Sequence, residues 1–111
     1  MTWGSDQRKH ERRLYRTTAR ILFSATQVVE VRTTDVSMGG MGIVASANPK
    51  NGTTFNIHVL LPVKPEGVMP LEARVEVVHS VLASDEGGFK IGLEFKQLSA
   101  AAETALKRFF E

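Results

Sequence analysis

The segment Leu71-Glu72-Ala73-Arg74-Val75-Glu76-Val77 alternates apolar and charged residues at every step. Such alternation sends the apolar side chains to one side of an extended chain and the charged ones to the other. It is typical of a β-strand with one face in a hydrophobic core. We therefore predict a strand over residues 71–81 with its first four odd-numbered side chains buried. This strand is the clearest indication in the sequence of a β fold.

Five more segments have the composition and alternation of strands, and turn-forming residues separate them. The predicted strands lie around Ile21, around Val29, and over residues 41–45, 54–61 and 89–95. Glycine, asparagine and proline predict a turn at residues 48–52, a hairpin at 84–88 and a loop over 62–70.

The hydrophobic period changes to that of a helix near the end of the chain. Leu98, Ala102, Leu106 and Phe109 recur at helical spacing, and Ser99 is a suitable N-cap. We predict a helix over about residues 99–110. Six short strands followed by a helix indicate an all-β fold with one C-terminal helix, a six-stranded antiparallel β-barrel that closes to hide its strand edges.

Composition indicates an ordinary globular domain: 111 residues, 42% hydrophobic and 23% charged. The absence of cysteine excludes disulfides and cysteine-bearing metal sites. No apolar run reaches the roughly 18 residues needed to span a bilayer, and the first residues lack the apolar segment of a signal peptide. We expect a cytoplasmic protein with no membrane span, whose output acts through a separate molecule because its length leaves no room for a second domain.

Charge is concentrated at the N-terminus. The first 20 residues hold six basic and two acidic side chains, a net charge of +4, whereas the remaining eight basic and ten acidic side chains give −2. A basic arm on a mildly acidic body suggests an anionic partner, although a solvated tail has the same composition. We predict a flexible arm over residues 1–11 and a folded domain over residues 12–111.

Catalytic and metal-binding patterns are absent from the sequence. His10, His58 and His79 are far apart and have no ligand companion at helical spacing. No Gly-x-Ser-x-Gly elbow and no phosphate-binding glycine pattern occurs. We therefore predict that the protein is not an enzyme and has no metal site or cofactor.

The first segment with chemical potential is Arg12-Arg13-Leu14-Tyr15-Arg16. The guanidinium group binds phosphate through paired N–H donors, pairs with the O6/N7 edge of guanine and stacks on aromatic rings. Arg12 and Arg16 could reach two groups of one ligand. Taken alone the spacing is common, and Arg8 repeats it with Arg12.

The second segment is Asp35-Val36-Ser37-Met38-Gly39-Gly40-Met41-Gly42-Ile43. Asp35 can accept hydrogen bonds from the N–H groups of a guanine edge, and Ser37 can donate or accept. The glycines let a flat ring approach the backbone. The alternative interpretation is a hairpin turn in which Asp35 and Ser37 bond only backbone amides.

Together, in this order, the two segments resemble the PilZ domain family, which carries Arg-x-x-x-Arg followed by Asp/Asn-x-Ser-x-x-Gly. The matching residues here are Arg12, Arg16, Asp35, Ser37 and Gly40. The resemblance implies a six-stranded barrel in a bacterial receptor that binds cyclic di-GMP. It implies that the two arginines contact phosphates and guanine, and that Asp35, Ser37 and Gly40 contact guanine and the nearby backbone.

Four further residues are candidate ligand contacts: Arg8, Arg13, Gly39 and His79, the last lying where many family members have a tryptophan. The expected partners are cyclic di-GMP and an effector protein. Two alternatives stay open. The chain could be a nucleic-acid-binding barrel, which would need exposed aromatic residues for base stacking, or a degenerate PilZ domain that binds only protein.

Overall fold

Seven strands and one helix organise residues 11–111, the part of the chain that the computed structural model describes. They are β1 (Arg12–Leu14), β2 (Thr18–Leu22), β3 (Val28–Ser37), β4 (Gly40–Ala45), β5 (Thr54–Pro62), β6 (Val68–Ala83), β7 (Gly88–Leu98) and α1 (Ala100–Phe110). A short 3-10 turn, Ser84–Glu86, joins β6 to β7.

The barrel consists of two three-stranded meanders, β2-β3-β4 and β5-β6-β7, joined along two seams. One seam pairs β4 with β7 over six residue pairs. The other pairs β2 with β5 over three, Arg20–His58, Ile21–Ile57 and Leu22–Asn56. Every pairing is antiparallel, so the six strands close completely. The six-stranded antiparallel barrel predicted from the sequence is confirmed.

The core follows the alternation of the sequence. Leu71, Ala73, Val75 and Val77 on β6 are all buried, and they lie beside the buried odd-numbered residues of β5 on the inner face of the sheet. Helix α1 packs mainly on β6 and buries its apolar stripe there. Its N-terminus is capped by Ser99, whose Oγ accepts a hydrogen bond from the backbone N–H of Ala102 at 3.1 Å.

Regular structure begins earlier than the sequence predicted. No strand was expected before Ala19, but β1 pairs with Asp35–Ser37 at the end of β3. It continues along the edge of β3 that β2 occupies, after a break at residues 15–17. The Thr33 hydroxyl bridges this break, because it donates to the carbonyl of Tyr15 and accepts from the N–H of Thr17. A three-residue strand without alternation leaves no pattern to detect.

The predicted loop over residues 62–70 is shorter in the structure, where β5 extends to Pro62 and β6 begins at Val68. Proline lacks the N–H needed for a ladder bond and is tolerated where a strand has a neighbour on one side only. Pro62 and Pro70 occupy such positions, since the pairing of β5 with β2 and that of β6 with β7 do not extend this far. Within residues 11–111, no helix combines the length and apolar character needed to cross a membrane.

Candidate functional site

A trough with a glycine floor crosses the outer surface of the barrel. Asp35 on β3 lies opposite Gly42 on β4, Gly42 lies opposite Gly92 on β7, and Gly92 lies opposite His79 on β6. With neighbouring strands about 4.8 Å apart, Asp35 and His79 are separated by three strand spacings, roughly 14 Å. All four residues line a cavity of about 180 Å³, together with Arg12 and Lys90.

Two β-bulges shape the walls of the trough. The register shifts between Thr33 and Asp35 on β3 and again between Val77 and His79 on β6. A bulge re-aims the side chains that follow it. Asp35 and His79 therefore face the same trough from strands that belong to different meanders.

The floor depends on glycine at position 42. A Cβ atom there would lie 2.5 Å from the Thr34 hydroxyl and 3.1 Å from a carboxylate oxygen of Asp35. A side chain there would displace the Thr34 hydroxyl, which donates to Asp35, and would crowd the Asp35 carboxylate itself. Sequence reasoning did not single out Gly42, because it became part of the site only once its pairing with Asp35 and Gly92 was known.

Arg12 and Asp35 form an ion pair at one end of the trough. The Arg12 Nη2 lies 2.8 Å from Asp35 Oδ1, and the two side chains are only 16% and 12% exposed. The Thr34 hydroxyl donates to the other carboxylate oxygen at 3.2 Å. Charge-assisted bonds of this kind fix both side chains in place. The structure thus brings together three residues predicted from sequence, Arg12, Asp35 and His79.

Arg13 lies on the opposite face of β1 and contacts the helix. Its Nη1 donates to the carbonyl of Phe109 at 2.6 Å, and its guanidinium lies 5.3 Å and 4.9 Å from the ring centroids of Phe109 and Phe110. A cation suits the negative end of a helix and the face of an aromatic ring. The hydroxyl of Tyr15 donates to the carbonyl of Leu60 at 2.9 Å and its ring packs on Phe109. Arg13 therefore anchors β1 and does not line the trough.

Arg16 is held by a carboxylate from a distant hairpin. Its two terminal nitrogens each lie 3.3 Å from an oxygen of Glu86. This hydrogen-bonded guanidinium holds the pKa of Glu86 below its usual value, with added effect from Lys90 and Arg32. Because the pKa of Glu86 is lowered, the pair is intact at neutral pH and is lost only as the pH falls through that lowered value. No sequence spacing connects residues 16 and 86.

Ser37, Gly39 and Gly40 build the turn between β3 and β4. The Ser37 Oγ accepts from the backbone N–H groups of Gly39 and Gly40 at 3.2 Å and 3.1 Å and donates to the carbonyl of Gly40. A Cβ at Gly40 would collide with the carbonyl of Leu93. Ser37 thus bonds backbone groups of the turn, as the hairpin interpretation describes for it, whereas Asp35 bonds Arg12. Ser37, Gly39 and Gly40 are not among the residues that line the cavity.

Arg8, another candidate ligand contact, lies outside the residues that the structure describes. Among residues 11–111, no group of three or more histidine, cysteine, aspartate or glutamate side chains is placed to hold a metal ion.

The family follows from a match along almost the whole sequence: the PilZ domain model matches residues 6–111. The chain belongs to the PilZ domain family. PilZ domains are receptors for cyclic di-GMP and are not enzymes. No curated protein matches this PilZ domain by sequence.

Solved structures of other proteins share the fold of this PilZ domain. The Bacillus subtilis inhibitor of motility MotI/DgrA matches with a TM-score of 0.76 and 19% identity, over 89% of this chain and 47% of that one. YcgR from Escherichia coli in complex with c-di-GMP matches with a TM-score of 0.71 and 20% identity, over 94% and 44%. The PilZ domain of YcgR with c-di-GMP matches with a TM-score of 0.63 and 19% identity, over 93% and 88%.

The chain thus spans less than half the length of MotI/DgrA and of full YcgR. At identities of 19–20% the likeness establishes the fold of this PilZ domain and not the roles of single side chains.

Proposed function

We propose that this PilZ domain is a bacterial cytoplasmic receptor that binds cyclic di-GMP in the trough and signals to a separate effector protein. The observation that carries the proposal is the glycine floor, Gly42 and Gly92, with the Arg12–Asp35 pair at one end and His79 at the other. A flat guanine ring needs such a floor, together with a donor and an acceptor at its edge.

The roles of the side chains follow from the chemistry of the ligand. Asp35 accepts hydrogen bonds from the N–H groups of guanine, and Arg12 turns from Asp35 to a phosphate or to the O6/N7 edge. Arg16 contacts the second phosphate. His79 stacks on the guanine ring from the far wall. Ser37, Gly39 and Gly40 act by fixing the turn that presents Asp35.

Calorimetric titration of cyclic di-GMP into the protein tests the proposal. We expect Arg12→Ala and Asp35→Asn to weaken binding about tenfold or more, on the order of 1.4 kcal/mol, because each removes a charged partner of the ligand. The matched control is Arg74→Ala, which removes an exposed arginine that bonds Thr54 and Asn56 away from the trough. Absence of binding heat at micromolar wild-type protein, or full affinity in the Arg12 variant, contradicts the proposal.

The nucleic-acid alternative needs exposed aromatic side chains along a basic groove. Phe55 and Phe109 are buried, and Phe89, Phe95 and Phe110 pack against the core. Phe23 is 44% exposed, and its ring packs edge-on against Phe55. Residues 11–111 therefore offer little stacking surface for single-stranded DNA or RNA. A gel shift at physiological salt separates the two functions, since only the alternative predicts retention of an oligonucleotide.

A further inference from the structure

The hairpin between β6 and β7 carries a carboxylate into a cluster of cations. Glu86 belongs to the 3-10 turn Ser84–Glu86, which ends at Gly87 with a left-handed φ of 81°. Both of its carboxylate oxygens accept hydrogen bonds from Arg16. Arg16 is one of the two motif arginines, so Glu86 occupies donors that the proposed function assigns to the ligand.

Two more cations lie close to the same carboxylate. Arg32 on β3 lies opposite Val44 on β4, and Val44 lies opposite Lys90 on β7. This row runs beside the glycine floor, because Val44 and Lys90 lie two residues along their strands from Gly42 and Gly92 and so on the same face. Lys90 and Arg32 both act on Glu86 electrostatically in the direction that keeps it ionised. The carboxylate thus bonds Arg16 directly and lies within the electrostatic reach of Arg32 and Lys90.

We propose that Arg16, Arg32 and Lys90 form an anion subsite that Glu86 occupies in the ligand-free protein, and that a phosphate of the ligand displaces Glu86 from it. This inference rests on the proposed function, which it deepens by adding two ligand contacts and an internal competitor. The subsite is continuous with the trough, because Lys90 also lines the cavity between Arg12 and His79.

The chemistry of the contact supports an exchange. A carboxylate and a phosphate both present two oxygens to the paired donors of a guanidinium, so one replaces the other without a change in the geometry of Arg16. The Arg16 side chain is 51% exposed, and ion pairs at such exposure contribute little to folding. Glu86 is therefore expected to affect ligand affinity more than the stability of the barrel.

The first test compares Glu86→Gln with Asp85→Asn. Both variants remove one negative charge from adjacent positions of the same exposed turn, so long-range attraction of an anionic ligand changes equally in both. We expect Glu86→Gln to bind cyclic di-GMP about two- to fivefold more tightly than Asp85→Asn in low salt, the range of an exposed ion pair. Equal affinity in the two variants overturns the inference.

A double-mutant cycle tests whether the gain in affinity for cyclic di-GMP in Glu86→Gln depends on Arg16. In the Arg16→Ala background, Glu86 no longer competes for a guanidinium, so Glu86→Gln should bring a smaller gain than in the wild type. A gain of unchanged size means that Glu86 acts elsewhere, and the inference then fails.

Inorganic phosphate gives a readout that does not depend on cyclic di-GMP. Titrated into Glu86→Gln, phosphate should shift the side-chain NMR signals of Arg16, Arg32 and Lys90, and it should shift them less in Asp85→Asn. If the wild type does not bind cyclic di-GMP but these shifts appear, the proposed function falls and the subsite stands. If cyclic di-GMP binds, but phosphate shifts none of the three and Glu86→Gln brings no gain, the subsite alone is overturned.

Discussion

At the scale of single residues, the site depends on an absent side chain as much as on present ones. Gly42 lies between Asp35 and Gly92, and the space above it is bounded by the Thr34 hydroxyl and the Asp35 carboxylate. A methyl group in this position cannot be accommodated without moving one of these polar groups. The location of the carboxylate, and with it that of the Arg12 guanidinium, is thus fixed by the floor below.

We expect Gly42→Ala to weaken binding of cyclic di-GMP at least tenfold, because the new Cβ displaces the Thr34 hydroxyl that bonds Asp35 and crowds the Asp35 carboxylate. Overpacking of this kind should also lower the free energy of unfolding by about 1–3 kcal/mol. Calorimetry measures the first effect and urea denaturation the second.

The control for this substitution is Gly52→Ala, in the turn before β5. Gly52 has a φ of 92°, so alanine strains the backbone there, but no atom lies near its Cβ position. It should destabilise the barrel and leave ligand affinity unchanged. If the two variants bind alike, the floor has no part in recognition.

The order of two motifs predicted some of the site, and local geometry decided the rest. Arg12 and Asp35 were selected because their two segments together resemble the PilZ pattern, and His79 because many family members have a tryptophan there. All three line one cavity. The ligand contacts of Arg13 and Gly39 stay predictions. In the structure the Arg13 guanidinium contacts the helix, and the Gly39 N–H donates to Ser37. The face of the sheet on which an arginine lies depends on the strand that holds it, and the sequence pattern predicted no strand over residues 12–14.

At the scale of elements, the two faces of β1 make different contacts. Arg12 points to Asp35 and the trough, while Arg13 and Tyr15 hold the C-terminal end of α1 and the carbonyl of Leu60. The strand contributes only three residues to the sheet. We therefore expect these side-chain contacts to hold its position together with the ladder to β3.

We expect Arg13→Ala to loosen β1, since it removes the bond to the Phe109 carbonyl and the contact with two aromatic rings. The cost should be about 1 kcal/mol. Amide hydrogen exchange should become faster at Tyr15, whose N–H bonds the carbonyl of Thr34 at 3.1 Å.

Lys107→Ala is the matched control, because Lys107 is an exposed cation in the same last turn of α1. Exchange at Tyr15 should be unaffected by it. Unchanged exchange in Arg13→Ala as well would mean that the ladder alone holds the strand.

At the scale of the whole molecule, alternation and turn residues were enough to predict the barrel. Strand identity follows from local pattern, so β4 to β7 and α1 were found close to their observed limits. The pairing of β4 with β7 and of β2 with β5 closes the barrel. A short stretch of sequence carries no information on which distant strands will pair. For that reason Gly92, Lys90 and Glu86 entered the site only with the structure.

The trough crosses the longer of the two seams between the meanders, and this has a kinetic consequence. Asp35 and Gly42 belong to the first meander, and Gly92 and His79 belong to the second. Hairpin contacts form quickly, whereas pairings between distant parts of the chain form late. The binding surface is therefore complete only once β4 has paired with β7, and a bound ligand would hold the two meanders together.

Saturating cyclic di-GMP should accordingly slow unfolding and leave the refolding rate nearly unchanged, because the ligand stabilises only contacts formed after the transition state. Stopped-flow mixing with urea measures both rates, and Arg12→Ala, which binds the ligand more weakly, should show less slowing of unfolding at the same ligand concentration. Faster refolding with ligand would mean that the seam forms before the barrier. In the expected case, bound cyclic di-GMP lengthens the lifetime of the folded protein. The ligand-free protein is then the form that proteases degrade faster.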